Sequence, residues 1–302
     1  MRHTLSWILI SVLLWGISSN VAYGRKKSKK SPDISKEQLF MQTYFTEIPL
    51  REWSVGKTFV YLDTELSPLL QKSTFSTSEP QSYKGLYFVF EGLAEASPWG
   101  EGTVDILFDC EGMKYRVKTG KSLPEIQNSD YTPLLPMLVA YDEIAKANEL
   151  LRGKTLYTRP AIWVDSLGNT RTGNRLFPIE IMAIEPGNTV YPMAFVFCAD
   201  SVVYRIYGSL TRTTMSQAAT FDKLFTFDNP RDQYSTIPEA HWQCIMRGEV
   251  MVGMNKDECR LALGRPHRAR EIPTYSGLKE EWYYNSGAYL YFEDGKLSRY
   301  RI

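Results

Sequence analysis

The sequence predicts a β-rich α+β protein: two tandem small β-barrel-like units followed by a two-helix, three-strand antiparallel unit. Three observations carry that expectation. Tyr 19, Phe 14 and Trp 7 sit among long runs of alternating polarity, and flat or β-branched side chains pack well on a pleated surface. Two stretches opened by Gly-Lys-Thr, at Gly56 and Gly153, lead into segments of similar texture. The last stretch, Ile237 to Ile302, carries helix caps and stops, then strand runs separated by short turns.

At 302 residues the chain is long enough for two or three domains, each burying its own core. Lys+Arg 35 against Asp+Glu 34 leave a net charge of +1, so no overall field draws in nucleic acid. A nucleic-acid role is disfavoured on that ground.

The N-terminus reads as an export address. Arg2 precedes the apolar run Trp7 to Ile17, and Ser18 to Gly24 is small and polar, with Ala22 and Gly24 placed for cleavage after Gly24. Residues 1–24 are therefore expected to be a signal peptide, and the mature chain periplasmic or secreted. A membrane anchor is the competing expectation, because Arg25, Lys26, Lys27, Lys29 and Lys30 oppose translocation of the chain beyond them. The apolar run falls short of the roughly 20 residues a spanning helix needs, which favours export. No cysteine lies near the cleavage site to take a lipid. Residues 25–34 form a basic leader with nothing to bury, expected to be disordered; contact with anionic lipid or cell-wall polymer is its weaker reading.

Ser35-x-x-Gln38 has capping-box spacing and opens a helix whose stripe is Leu39, Phe40, Thr43 and Tyr44. That helix is expected to pack on the first β unit, residues 35–122. Strands are expected at Lys57 to Leu62, Gly85 to Glu91, Thr103 to Asp109 and Met113 to Thr119. A second unit, residues 142–210, should start with a helix from Asp142 to Leu151. Strands are expected after it at Thr155 to Thr158, Ala161 to Val164, Arg175 to Ala183, Pro192 to Cys198 and Val202 to Gly208.

The two units read as diverged copies. Gly56-Lys57-Thr58-Phe59 matches Gly153-Lys154-Thr155-Leu156, and Leu86 to Glu91 resembles Leu176 to Ile181 in texture. Ile106 to Cys110 with Lys114-Tyr115-Arg116-Val117 aligns with Phe195 to Cys198 and Val203-Tyr204-Arg205-Ile206. Barrels or curled sheets of about five strands fit this spacing, with an SH3-like form among the options.

Chemical motifs are thin. Gly-Lys-Ser/Thr occurs at Gly56, Gly120 and Gly153, but a phosphate loop also needs Gly five positions earlier, where Arg51, Tyr115 and Asn148 stand. Outside the signal only His241 and His267 remain, without metal-ligand spacing, so neither metal nor cofactor is implied. His267 is expected in a solvated loop from Gly264 to Arg270. Asp105, Asp109 and Glu111 are acidic neighbours at a hairpin with no cleft around them. In an exported chain the four cysteines allow three pairings. Cys244 with Cys259, on neighbouring helices, is the expected disulfide; Cys110 and Cys198 are expected at matching strand ends, bridged only if the two hairpins face each other.

In the last unit, residues 235–302, Thr236-x-x-Glu239 opens one helix that stops at Gly248. Asn255 with Glu258 opens a second that stops at Gly264. Strands are expected at Glu280 to Tyr284, Ala288 to Glu293 and Lys296 to Arg301, the last two joined by the turn Asp294-Gly295.

The run Gly248 to Glu258, then Leu263-Gly264-Arg265-Pro266, Glu281-Trp282-x-Tyr284 and Leu290-x-Phe292-x-x-Gly295-Lys296-Leu297, resembles the SmpA/OmlA (BamE-like) domain family. The resemblance covers about the last quarter of the chain. It implies an exported ααβββ domain that binds other proteins, many of them in outer-membrane assembly, with a fold shared by the secreted β-lactamase inhibitor proteins. This chain differs in lacking a lipid-acceptor cysteine and in its two long upstream units.

Strand alternation sharpens the implication. Leu290, Phe292 and Leu297 should share one face with Trp282 and Tyr284, covered by the helices. The other face should carry Tyr283, Tyr289, Tyr291 and Tyr300, edged by Glu281, Glu293 and Lys296. That composition suits protein binding, unless one of the β units covers it. Three functions are expected in this order: a non-enzymatic envelope protein that binds or scaffolds another protein through this sheet; a glycan or cell-wall binding module using aromatics such as Trp53 or Trp163; a hydrolase with its site at a domain junction.

Overall fold

The computed structural model describes residues 34–73, 80–96, 102–159, 161–211, 219–274 and 277–302. The expected signal, residues 1–24, and residues 25–33 of the basic leader lie outside the described residues. Those described form a β-rich arrangement of seven α-helices and three antiparallel sheets, one curled into a half-barrel.

Helix α1 (Lys36–Tyr44) begins with the predicted capping box: Ser35 Oγ accepts from Gln38 N–H at 3.2 Å, and Gln38 Oε1 accepts from Ser35 N–H at 3.4 Å. Its destination corrects the expectation. Instead of packing on the first β unit, α1 seats Met41 in the core of the second, while Leu39 and Tyr44 stay exposed. Phe40 packs on Phe221 and Phe227, ring centroids 5.4 and 5.3 Å apart. The buried carboxylate of Glu37 supplies the reason, accepting from Thr226 Oγ1 and Phe227 N–H, each at 3.0 Å. A charge-assisted bond to an otherwise unpaired backbone N–H can outweigh proximity in sequence.

The first sheet comprises β1 (Thr58–Tyr61), β2 (Gln71–Lys72), β3 (Tyr87–Glu95), β4 (Thr103–Cys110), β5 (Met113–Ser122) and β6 (Leu138–Ala140). After β5 comes α2 (Leu123–Gln127), and after β6 comes α3 (Tyr141–Leu151). Strand order is β6-β1-β3-β4-β5-β2. The second sheet comprises β7 (Thr155–Thr158), β8 (Ile162–Asp165), β9 (Thr170–Thr172), β10 (Pro178–Pro186), β11 (Met193–Ala199), β12 (Val202–Gly208) and, after α4 (Phe221–Leu224), β13 (Phe225–Thr226). Its order is β13-β7-β10-β11-β12-β8-β9.

Apart from β9 the two sheets have the same connectivity. Each first strand is entered through a glycine of positive φ, +93° at Gly56 and +75° at Gly153, a conformation that favours glycine. Gly56 N–H donates to Phe90 O and Phe90 N–H to Lys57 O; likewise Gly153 N–H donates to Ile181 O and Ile181 N–H to Lys154 O. A β-bulge lies at the same place in each, between Phe90 and Gly92 and between Ile181 and Ala183. Phe108 then faces Tyr115 as Phe197 faces Tyr204.

That register corrects two of the expected equivalences. Phe90 and Ile181 occupy equivalent positions, so Leu86 corresponds to Phe177 rather than Leu176. Cys198, across from Val203, corresponds to Asp109, across from Lys114; Cys110, across from Met113, corresponds to Ala199. A slip of one residue inverts the face of every side chain, so Cys110 is buried and Cys198 exposed.

The two sheets share their packing. In β1, Phe59 and Tyr61 belong to the first core, whereas Val60 and the following Leu62 belong to the second. Helix α3 covers that second core with Ile144, Ala147 and Leu151.

Two more helices come after the short α5 (Pro230–Gln233): α6 (Glu239–Arg247) and α7 (Lys256–Leu263). Asn255 and Glu258 form the expected capping box on α7, and Gly248 ends α6 at φ 72°. Helix α6 starts later than expected, with Pro238 rather than Thr236 as its cap, because a residue before proline is steered away from the helical region. The sheet behind them has four strands, β14 (Arg268–Thr274), β15 (Gly277–Tyr283), β16 (Tyr289–Glu293) and β17 (Lys296–Arg301), in that spatial order. Strand β14 replaces the expected loop around His267. Its Arg-Ala-Arg-Glu-Ile-Pro-Thr run has no apolar alternation, and its extended form comes from backbone pairing with β15.

Candidate functional site

The site is the face of the last sheet turned away from α6 and α7. On the covered face Trp282, Leu290, Phe292 and Leu297 are buried with Ile245, Met254 and Ala262, as alternation predicts. Trp282 is held from both sides: its indole N–H donates to the buried Glu280, and the Arg260 guanidinium lies 4.7 Å from its ring centre. Burial alone would raise the Glu280 carboxyl, but hydrogen bonds from Lys256 and Trp282 hold it below the usual range.

The other face is open. Tyr283 pairs across the ladder with Tyr289, and their rings lie 5.2 Å apart at 55°. Glu281 fixes both phenols, its Oε2 accepting from Tyr283 at 3.0 Å and its Oε1 from Tyr289 at 3.1 Å. The bond to Glu281 raises the Tyr283 phenol; burial and then the same carboxylate raise that of Tyr289, so both rings are neutral hydrogen-bond donors.

Tyr291 shares this face but is only 8% exposed, roofed by the Arg299 guanidinium at 4.4 Å and by Lys279 at 6.0 Å. Tyr300 departs from the expectation. A bulge opposite Tyr291 and Phe292 leaves Ser298 without a ladder partner, so Phe292 faces Leu297 while Tyr291 faces Arg299 and Leu290 faces Tyr300. Directly paired residues point to the same side, which puts Tyr300 on the Leu290 side and turns Arg299 and Arg301 onto the tyrosine face. Strand β14 adds two more cations there, Arg268 across from Tyr283 and Arg270 across from Glu281.

The result is a fixed tyrosine pair surrounded by exposed Arg268, Arg270, Arg299 and Arg301, with Glu281 and Glu293 as the facing carboxylates. Sequence reasoning missed the arginines because both ways of reaching the face, the extra strand and the bulge, are properties of pairing.

The remaining candidates are structural. His241 Nδ1 lies 2.8 Å from Glu258 Oε2, and Glu258 also accepts from the Asn255 backbone N–H, so the histidine ties α6 to α7. His267 is exposed and extends the β14 ladder by donating its backbone N–H to Tyr283 O. Asp109 sits 3.1 Å from Lys114, and the buried Asp105 faces Arg116 at 3.7 Å. Trp163 is fully buried, whereas Trp53 borders a cavity with its indole N–H donated to Ile48 O.

All four cysteines are free thiols. The expected Cys244–Cys259 bridge is absent: Cys259 is enclosed in the core, while Cys244 Sγ lies 3.8 Å from Met251 Sδ. Burial pushes the Cys259 thiol up to about 12 and that of Cys110 to about 11, the opposite of what a nucleophilic cysteine needs. Among the described residues no group of three His, Cys, Asp or Glu side chains could hold a metal ion. No family model, no curated protein and no solved structure matches this chain.

Proposed function

We propose that this chain is an exported, non-enzymatic protein of the bacterial cell envelope that binds another protein through the open face of its C-terminal sheet. One observation carries this: a tyrosine pair already locked by Glu281 stands uncovered among four exposed arginines. Tyrosine and arginine are the residues that most often dominate interface energetics, and side chains already held in place lose little entropy on binding. Excess positive charge on the face suits an acidic partner surface. The signal pattern of residues 1–24 supports export, and the BamE-like resemblance of residues 235–302 supports a protein as the ligand.

In the same reading the strands of residues 58–122 and 155–208 are diverged copies of one small β-barrel-like unit. Their equal connectivity, glycine entry and bulge position support this.

The test is affinity capture from envelope extract with the purified full chain. Wild type and Tyr300→Ala should recover the same partner, and Tyr283→Ala/Tyr289→Ala should lose it while keeping the wild-type melting profile. Unchanged recovery by the folded double variant would sink the proposal.

A further inference from the structure

Where the first sheet meets the second there is a cavity of about 520 Å³, within the range of roughly 300–1,000 Å³ typical of small-ligand sites. Phe59, Leu62, Val139 and Ala140 form its floor, and Trp53 and Met137 its wall. Its lining also includes the polar side chains of Thr132, Asn188, Thr189 and Thr211. Ile48, Leu134 and Val190, from three separate segments, converge at its rim while 40%, 62% and 59% exposed.

A carboxylate enters this space from the first turn of α3. Glu143 lines the cavity half-buried, and no hydrogen bond reaches its carboxyl among the described residues. The charged groups around it are Asp142 and Lys146 on the same helix, Lys57 at the entry to β1, and Glu47 in the segment after α1. Both cations are engaged elsewhere: Lys57 Nζ lies 2.6 Å from Asp142, and Lys146 Nζ sits over the rings of Tyr44 and Phe45 at 5.8 and 5.7 Å. The lining segments 132–140 and 188–192 add no titratable side chain to the cavity. Glu143 and Glu47 thus line a largely apolar site whose lining cation, Lys57, is already paired with Asp142.

We propose that this cavity binds a small amphiphilic amine, its hydrocarbon part on the apolar floor and its ammonium against Glu143. A carboxylic acid would bring a further negative charge to two carboxylates, and an alcohol would leave the charge demand unmet. The inference is independent of the sheet-face reading, since the two sites share no residue.

Isothermal titration calorimetry of the full chain with hexylamine, hexanol and hexanoate separates these cases. Desolvation, aided by Asp142, raises the Glu143 carboxyl to about 7, so hexylamine should bind about tenfold more tightly at pH 8 than at pH 6 and release a proton at the lower pH. Hexanol should bind more weakly without pH dependence, and hexanoate most weakly. Glu143→Gln should keep hexanol binding but lose the preference for amine and its pH dependence. Failure of hexylamine to saturate, hexanoate or hexanol binding as tightly, or a folded Glu143→Gln that keeps the amine preference would each overturn the proposal.

Discussion

Arg299 stands directly across the ladder from Tyr291, its guanidinium carbon 4.4 Å from the ring centre, because Ser298 has been bulged out of register. The pair decides which face each residue of β17 serves. Arg299→Ala uncovers Tyr291 and should cost about 0.5–1 kcal/mol in urea unfolding. Tyr300→Ala, at the exposed edge of the other face, should stay within about 0.5 kcal/mol. The reverse ranking would mean that β17 runs without the bulge.

Glu37 and Glu280 are both buried, and burial opposes their charge. Backbone and side-chain hydrogen bonds, from Phe227 to the first and from Lys256 to the second, nonetheless hold each below its ordinary value of 4.5. A carboxyl lowered in the folded state contributes stability above its unfolded value and loses it as pH falls through the folded one. The melting temperature should therefore drop on acidification below about pH 4.5. Glu37→Gln should be less stable than wild type at neutral pH and show a shallower acid slope.

Glu143 has the opposite sign. With its carboxyl raised to about 7, the folded protein holds a proton that the unfolded chain releases near 4.5, so stability declines between those values and then levels off. Glu143→Gln should remove that decline and exceed wild type at pH 8 by about 1–3 kcal/mol, read from denaturant midpoints at pH 5 and pH 8. A wild-type profile that is flat across this window would count against the burial of Glu143.

Thiol labelling distinguishes the observed register from one in which Cys110 and Cys198 are equivalent. Cys198 is exposed and should react with a maleimide in the native protein, whereas Cys110 and Cys259 should react only on unfolding. Native reactivity at Cys110 would restore the equivalence of the two cysteines.

Much of the local structure is legible in the sequence. The capping boxes at Ser35 and Asn255, the stop at Gly248 and the Asp294-Gly295 turn are set by spacing alone, and each forms where expected. So is the inward face of β15 and β16. The short strands β2, β6 and β13 leave no signal, because two or three residues are too few to show a period. Strand β14 is hidden for a different reason, its polar residues being held extended by a neighbour.

What the sequence by itself determined, then, are the features set within a few residues: caps, turns, and which side chains of β15 and β16 avoid water. Hydrogen bonds over three or four positions and the strict alternation of a strand make those local. Only the tertiary structure decided that α1 crosses to the second sheet, that Arg299 rather than Tyr300 joins the tyrosine face, and that Glu143 meets an apolar cavity. Each of these depends on which distant backbone or core a segment pairs with, and burial energy is settled between partners far apart in the chain.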